Sequence, residues 1–391
     1  SLFNYRFEYE NQKYIFNTNN NGLIQINNDI FTEEEREYLR VNRFWVDDNE
    51  DEIALLEREI NHNIQKRQKE LELTIALTNY CNFSCVYCYQ NKNEKLMTTE
   101  VANMIIEKID RILNDNIFEG INIHYFGGEP LLNIPVLIYL DENIKKITDK
   151  IGIVYKAFLT TNGSMLSKEL LQKVKFSSIQ LTFDGLEKTH DRLRVSDHFH
   201  FKEEIELIEN IMNFSQAKVL LRTNICKENK DEIIALHKYI FEKFGNERIE
   251  INPNRTIKYH QDDSFEMLSV QEYAEVAYQI KLLWSEQKGK FELPVPRSTP
   301  CKFPYGNAYA ISPEGYCTFC SGSMDQEKKY FFDVDIENKK MFSVRKECKK
   351  CNILPLCLGG CIIQYNLRAG ACTYEKYELK NILISYIKHI S

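Results

Sequence analysis

The chain is expected to be an α/β protein. A parallel sheet with helices outside it should follow a small N-terminal β-plus-α domain and precede a cysteine-rich C-terminal domain. Strand-like and helix-like runs alternate six times between Leu71 and about Asn254, the pattern of βα units in a parallel sheet. Glycine-, carboxylate- and cysteine-bearing motifs stand just after the strand runs, where parallel α/β folds keep their chemistry. Eight of the 12 cysteines gather between Cys301 and Cys372. Six units fall short of the eight of a closed barrel, and 391 residues allow two or three domains.

Composition excludes several classes. A net charge of −7 argues against a nucleic-acid surface, which needs a basic stripe. No apolar run reaches membrane-spanning length, and Ser1-Leu2-Phe3-Asn4-Tyr5 is no signal peptide. Cytoplasm is therefore the expected compartment, and no membrane partner is expected. In a long chain of this kind, cysteines read better as metal ligands than as disulfides.

At the front, Tyr5–Tyr9 and Lys13–Asn17 are short strand-like runs. Asn19-Asn20-Asn21-Gly22 is a turn before Leu23–Ile26. Thr32-Glu33-Glu34-Glu35 is a capping-box pattern that opens a helix. Glu50 to Glu70 is a charged helical spacer. Strands are then expected at Leu71–Leu77, Ile121–Phe126, Ile153–Leu159, Ser178–Phe183, Lys218–Asn224 and Arg248–Asn252, with helices such as Thr99–Asn114 and Asp231–Phe244 between them. Residues 255 to about 290 read as a helical connector, with Val270–Trp284 apolar at helical spacing. Tyr374–Ile390 reads as an amphipathic closing helix.

The first strand runs into Cys81-Asn82-Phe83-Ser84-Cys85-Val86-Tyr87-Cys88, a C-x3-C-x2-C spacing with no further cysteine before Cys226. Three thiolates can hold three irons of a [4Fe-4S] cube and leave the fourth open. A zinc knuckle would show paired C-x2-C and four ligands. After the second strand comes Gly127-Gly128-Glu129-Pro130, whose glycines permit close backbone approach. Thr160-Thr161-Asn162-Gly163 follows the third. Thr182-Phe183-Asp184-Gly185 and His190-Asp191-Arg192-Leu193-Arg194 follow the fourth, and Arg222-Thr223-Asn224 ends the fifth.

Together these residues resemble the radical S-adenosylmethionine (SAM) enzymes. The resemblance implies an open (β/α)6 barrel and a [4Fe-4S] cluster on Cys81, Cys85 and Cys88. In that family SAM chelates the open iron and is cleaved reductively to a 5′-deoxyadenosyl radical. Tyr87 matches the aromatic position beside the adenine. The Gly127, Gly128, Glu129, Pro130 motif matches the one that holds the SAM amino group, and Asn162 and Thr182 match positions around SAM. Either Arg192 or Arg194 would pair with the SAM carboxylate. His190 is read as structural and Cys226 as a buried small residue.

The C-terminal cysteines run Cys301-x13-Gly315-x4-Cys320, then Cys348-x2-Cys351-x5-Cys357-x3-Cys361, then Cys372. This resembles the SPASM domain, the auxiliary-cluster extension of radical SAM peptide and protein modifiers. By that resemblance Cys348, Cys351, Cys357 and Cys372 take one auxiliary [4Fe-4S] cluster. Cys301, Cys320 and Cys361 take another, completed here by Cys317, for three clusters in all. A pair of zinc sites is the alternative, since C-x2-C is also zinc spacing.

The N-terminal hairpin and helices (residues 1–70) resemble the winged-helix-like element to which a leader peptide adds a strand. The alternative is a structural cap on the barrel. With the barrel at 71–254, the connector at 255–296 and the SPASM domain at 297–391, the chain resembles maturases of ribosomally made peptides. The resemblance implies a leader-bearing, Cys-containing precursor, an electron donor such as flavodoxin or ferredoxin, and crosslinking, foremost a cysteine thioether. Carbon–carbon or carbon–oxygen crosslinking and epimerisation remain open. An anaerobic sulfatase-maturing (formylglycine-forming) enzyme would carry a base Asp directly after the Gly-x4-Cys cysteine. Here that position is Ser321, and Asp325 lies nearby outside the motif. A non-catalytic metal- or peptide-binding scaffold is the alternative from another class.

Overall fold

The computed structural model describes residues 1–26, 31–115, 118–245, 248–258, 264–318, 320–323, 329–334, 341–361 and 372–390. Asp325 lies outside the described residues. The chain divides into two compact units, one of residues 1–66, 269–305 and 340–391, the other of residues 67–268 and 306–339.

In the first unit, strands β1 (Asn4–Tyr9), β2 (Gln12–Asn17) and β3 (Gly22–Ile26) form an antiparallel sheet in that order. Glu10 and Asn11 both take positive φ (49° and 62°) at the β1–β2 turn, as a two-residue hairpin that follows the strand twist requires. Helix α1 (Glu33–Val41) opens on the expected box. Glu35 N donates to Thr32 Oγ1 at 3.2 Å and Thr32 N to Glu35 Oε2 at 2.7 Å, so two orphan amides are satisfied reciprocally. Helix α2 (Glu52–Arg67) buries Leu56, Ile60 and Ile64 at helical spacing.

In the second unit, six parallel strands alternate with helices as the sequence pattern indicates. They are β4 (Glu70–Ala76), β5 (Gly120–Phe126), β6 (Val154–Thr160), β7 (Phe176–Thr182), β8 (Lys218–Ile225) and β9 (Ile249–Arg255). The helices between them are α3 (Thr99–Asp115), α4 (Ile134–Ile151), α5 (Lys168–Lys173), α6 (Glu187–Leu193), α7 (Phe201–Phe214) and α8 (Ile233–Phe244). β4 is buried along nearly its whole length, which is why it reads as a continuous apolar run rather than an alternating one. α3 buries Ala102, Ile105, Ile109 and Ile112 along one stripe.

The sheet continues past β4, which the sequence pattern does not indicate. β10 (Ala308–Ile311) pairs parallel with β4, Ala308 opposite Glu72 and Ile311 opposite Ile75. β11 (Tyr316–Thr318) and β12 (Lys329–Tyr330) follow antiparallel. The result is a nine-stranded, mostly parallel sheet in the order β12-β11-β10-β4-β5-β6-β7-β8-β9.

The first unit is completed by α9 (Val270–Lys288), a helical turn at Leu354–Cys357 and α10 (Glu375–Ile390). Phe7 and Phe16 of the N-terminal sheet share a core with Ile353, Leu356, Leu379, Leu383 and Ile387. Phe3 and the buried face of α2 share another with Phe342, Val344, Leu354 and Leu358. Residues 1–66 are thus packed into the same body as Cys348, Cys351 and Cys357. No described helix is long and apolar enough to cross a membrane.

Candidate functional site

β4 ends at Ala76 and the chain enters the loop carrying Cys81, Cys85 and Cys88, all half-buried. The loop is fixed by its own backbone. Ser84 N donates to Val195 O at 2.8 Å and Val86 N to Leu193 O at 3.0 Å. Thr78 Oγ1 donates to Lys95 O at 2.8 Å and accepts from Tyr80 N at 2.9 Å. Lys92 Nζ donates to Phe83 O. Cys81 Sγ accepts from Phe83 N at 3.4 Å and Asn162 Nδ2 at 3.8 Å. Burial pushes the Cys85 thiol up to about 12. The Arg194 cation works against that shift, while Cys88, Asp184 and Cys81 add to it. Burial also raises the Cys81 thiol, with the Cys88 charge contributing. The three thiols therefore stand within electrostatic reach of one another.

The Gly-Gly-Glu-Pro turn docks on this loop. A Cβ on Gly127 would sit 2.3 Å from Thr78 O, and one on Gly128 2.1 Å from Tyr80 O. The close approach that glycine permits here is to the chain's own backbone. Gly128 N donates to Thr78 O and Glu129 N to Tyr80 O, both at 2.8 Å. Pro130 is buried and starts a short 3-10 turn.

Glu129 is fully buried. Oε1 accepts from Thr161 Oγ1 at 2.6 Å and Leu131 N at 3.0 Å, and Oε2 accepts from Asn162 N at 2.7 Å. Burial lifts its carboxyl to about 7 despite these bonds. The side chain expected to receive an ammonium group is thus spent largely on orienting the Thr161-Asn162 turn. Asn162 in turn donates to Asn82 Oδ1 at 2.8 Å and accepts from Ser164 N at 3.0 Å. Glu129, Asn162 and the Cys81 side of the loop are one hydrogen-bonded network.

A second group converges from β7 and α6. Arg194 is buried, with its guanidinium carbon 5.4 Å from the Phe83 ring centre, while Arg192 is exposed. The structure brings Arg194, and not Arg192, to the cysteine loop. His190 is buried with Nε2 3.1 Å from Glu204 Oε2, consistent with a structural residue. Thr182 is buried at the end of β7. Tyr87 points its hydroxyl inward and donates to Asp184 Oδ2. Asp184 Oδ1 accepts from Asn224 N at 2.7 Å, and Asp184 O accepts from Asn229 Nδ2 at 2.9 Å. Asp184 is the residue that sequence reasoning left out of the binding set. Its signal was the Asp-Gly pair at a strand end. Cys226 is buried against Asn229, its N donating to Asn229 Oδ1 at 2.9 Å.

The C-terminal cysteines fall in both units. In the first, Cys351 N donates to Cys348 O at 3.0 Å, and Gly359 N to Cys357 Sγ at 3.4 Å. The Cys351 and Cys372 charges both act on Cys348, and Cys351 acts on Cys357, whose thiol burial pushes up to about 11. Of the four cysteines expected to share one auxiliary cluster, Cys348 is thus within electrostatic reach of Cys351 and Cys372, and Cys357 of Cys351. Positive φ at Leu358, Gly359 and Gly360 (47°, 82° and 70°) turns the chain among them. Cys301 and Cys348 line a cavity of about 220 Å³, and Cys361 is exposed. Cys317 and Cys320 belong to the other unit. There Cys317 is buried on β11, and Cys320 Sγ accepts from Gly322 N at 3.3 Å.

Among the described residues, no three Cys, His, Asp or Glu side chains close around a single ion. The donor chemistry nevertheless suits an iron–sulfur cluster. Three thiols share one loop, amide N–H groups are directed at sulfur, and the buried Arg194 cation opposes part of the rise that burial imposes on the Cys85 thiol.

Comparison with known proteins agrees. An uncharacterized protein of Methanocaldococcus jannaschii is 34% identical over 119 residues, 29% of this chain and 39% of that protein. The radical SAM cyclopropyl synthase TigE of Paramaledivibacter caminithermalis is 24% identical over 372 residues, 83% of this chain and 76% of TigE. The solved structure of anSMEcpe with bound AdoMet superposes with a TM-score of 0.63 at 18% identity, covering 82% of this chain and 100% of that one. That of Streptococcus suis SuiB with its precursor peptide SuiA gives 0.56 at 16%, covering 96% and 97%. The chain shares the fold of both structures. Residues 75–240 match the Radical SAM superfamily, and the cysteine loop and its partners lie inside that span.

Proposed function

We propose that the protein is a radical SAM peptide maturase that abstracts hydrogen from a ribosomally made precursor and closes a crosslink in it. The observation that carries the reading is the convergence of two groups on the cysteine loop, Glu129 and Asn162 at its Cys81 side and Asp184 and Arg194 at Tyr87 and Phe83, at the C-terminal ends of β4 to β8.

In this reading Cys81, Cys85 and Cys88 hold a [4Fe-4S] cluster, which with SAM bound supplies a 5′-deoxyadenosyl radical. Arg194 is the carboxylate-binding cation, since it is buried against the Phe83 ring of the cysteine loop whereas Arg192 faces solvent. Asn162, held by Glu129, presents its amide next to Cys81. Asp184 fixes the Tyr87 ring, so that Tyr87 and the backbone before Cys88 form a rigid wall for the adenine. Gly127 and Gly128 lock the two loops together. Cys348, Cys351, Cys357 and Cys372 hold one auxiliary cluster, and Cys301, Cys317, Cys320 and Cys361 the other. The strand β3, last in the order of the N-terminal sheet, is where a leader peptide would add.

A peptide substrate is supported by the bound peptides named for the fold relatives, SuiA on SuiB and Cp18Cys on anSMEcpe. Thioether formation to a precursor cysteine is the linkage we favour. Carbon–carbon closure is a second reading, favoured by the similarity to a cyclopropyl synthase over 83% of the chain. Formylglycine formation is disfavoured by Ser321 at the base position.

Tandem mass spectrometry of a candidate precursor after anaerobic co-expression tests the proposal. A loss of two hydrogens per site with cysteines blocked to alkylation is the expected result. The same loss with alkylatable thiols points to another crosslink, carbon–carbon or carbon–oxygen, or to an oxidation. An unchanged peptide, despite proven SAM cleavage, would overturn the assignment of that substrate.

A further inference from the structure

One face of the parallel sheet carries a polar row with no part in the network around the cysteine loop. Thr223 of β8 bonds His237 of α8, so that face of the strand meets the helices. Arg222 and Asn224, one residue to either side, point to the opposite face. Thr182 of β7 stands opposite Arg222, Arg222 opposite Asn252 of β9, and Asn224 opposite Asn254. These side chains therefore share the helix-free face, as does Gln180, two residues before Thr182. Gln180, Arg222, Asn224, Asn252 and Asn254 are each only half-buried, so a ligand can reach them.

The row spends oxygens internally and leaves donors over. Arg222 Nε donates to Asn224 Oδ1 at 2.9 Å. Asn252 Nδ2 donates to Gln180 Oε1 at 3.3 Å, and Asn254 Nδ2 donates to Asn252 Oδ1 at 2.8 Å. A guanidinium can only donate, so Asn224 must turn its oxygen towards Arg222 and its amino group away. Gln180 Nε2, Asn224 Nδ2 and both terminal nitrogens of Arg222 have no hydrogen-bond partner among the described residues. No described carboxylate pairs with the Arg222 cation. Asp184, at the same end of the sheet, has its two oxygens engaged by the Tyr87 hydroxyl and the Asn224 amide. The row is thus a cation flanked by free N–H donors, the complement of an anion.

We propose that this row binds a carboxylate of the substrate, an aspartate or glutamate side chain of the peptide, with the Arg222 guanidinium as the forked donor and the Gln180 and Asn224 amides beside it. The inference rests on the peptide reading above and adds the chemical class of the residue presented to the site. A guanidinium meets a carboxylate through two parallel N–H···O bonds, and partial burial strengthens such a pair relative to open water. A residue held by Arg222 lies one strand from Thr182, a position matched to the surroundings of SAM. The carboxylate of SAM itself is the other carboxylate at hand, and in the reading above it is taken by Arg194.

Isothermal titration of the full anaerobically reconstituted chain tests the proposal, with SAM and without it, and with no reductant. The probes are N-acetyl-glutamate methylamide and its neutral isostere N-acetyl-glutamine methylamide, with the aspartate and asparagine pair beside them. At least one acidic probe should bind about tenfold or more tightly than its isostere. Arg222→Gln should abolish that preference and leave the affinity for SAM unchanged, whereas Arg222→Lys should keep part of it. Asn224→Asp sets a carboxylate against the guanidinium without removing it. It should also cost the acidic probe about tenfold, which keeps the test intact if Arg222→Gln unfolds. Equal binding of acidic and neutral probes by the wild type, or an unchanged preference in both Arg222→Gln and Asn224→Asp, would overturn the proposal. Loss of SAM affinity in Arg222→Gln along with the preference would overturn it too, because Arg222 would then serve the SAM carboxylate. A wild type that takes up no SAM would count against the radical reading alone, since the probe comparison without SAM still decides this one.

Discussion

Glu129 shows how a binding motif is partly a structural device. Its two oxygens accept three hydrogen bonds inside the protein, two of them from the Thr161-Asn162 turn. Glu129→Gln should leave at least one buried donor unmatched and lower stability by about 1–3 kcal/mol, seen as a reduced denaturation midpoint, and it should weaken SAM binding by calorimetry. His237 makes a separate pH prediction. It is buried on α8, 3.2 Å from Thr223 Oγ1, and burial lowers it to about 3. Because the unfolded chain takes up that proton near pH 6.5, stability falls as pH drops below about 6.5, by about 1.4 kcal/mol per unit until the folded value is reached. Glu129, raised to about 7, acts oppositely and favours the folded state as pH falls towards 4.5. The comparison that isolates His237 is therefore wild type against His237→Gln, whose stability difference should shift by about 2–3 kcal/mol between pH 6.5 and 4.5. The choice between Arg192 and Arg194 was also within reach of the sequence. His190 and Arg194 are four apart and share the buried face of α6 and its cap, whereas Arg192 lies about 200° from His190.

At the scale of elements, the six parallel strands and the helices between them were legible because each buries a periodic or continuous apolar run. β10 was not. Ala308-Tyr309-Ala310-Ile311 is short, carries no alternation, and is buried at every position, so only its pairing with β4 identifies it. The contact between the cysteine loop and the Gly127-Gly128 turn is the most sensitive junction between elements. Gly128→Ala would place a Cβ 2.1 Å from Tyr80 O, a backbone atom that can yield only by moving the loop. We expect a cost of about 1–3 kcal/mol and a loss of iron bound at the loop, measured by iron content and the charge-transfer absorbance of the cluster. The far-UV circular dichroism of the chain should be retained.

For the whole molecule, motif order suggests a succession of regions and carries no sign of the two bodies into which the chain divides. Residues 1–66 share buried cores with residues 340–391, a pairing across some three hundred residues that leaves no local signature. A hairpin resembling a peptide-recognition element is therefore also part of the body that carries Cys348, Cys351, Cys357 and Cys372. On the proposed ligand set, Cys317→Ala should alter the spectrum of one auxiliary cluster and lower iron content by less than the loss of a whole cluster. An unchanged spectrum would remove Cys317 from the ligand set.

The central claim is that the cysteine loop and its network support reductive cleavage of SAM. The direct measurement is 5′-deoxyadenosine released when the anaerobically reconstituted chain is given SAM and dithionite, beside a variant with Cys81, Cys85 and Cys88 all changed to Ala. Release by the wild type and none by the variant is the predicted result. Iron-loaded wild type that binds SAM yet releases no more 5′-deoxyadenosine than the variant would contradict it.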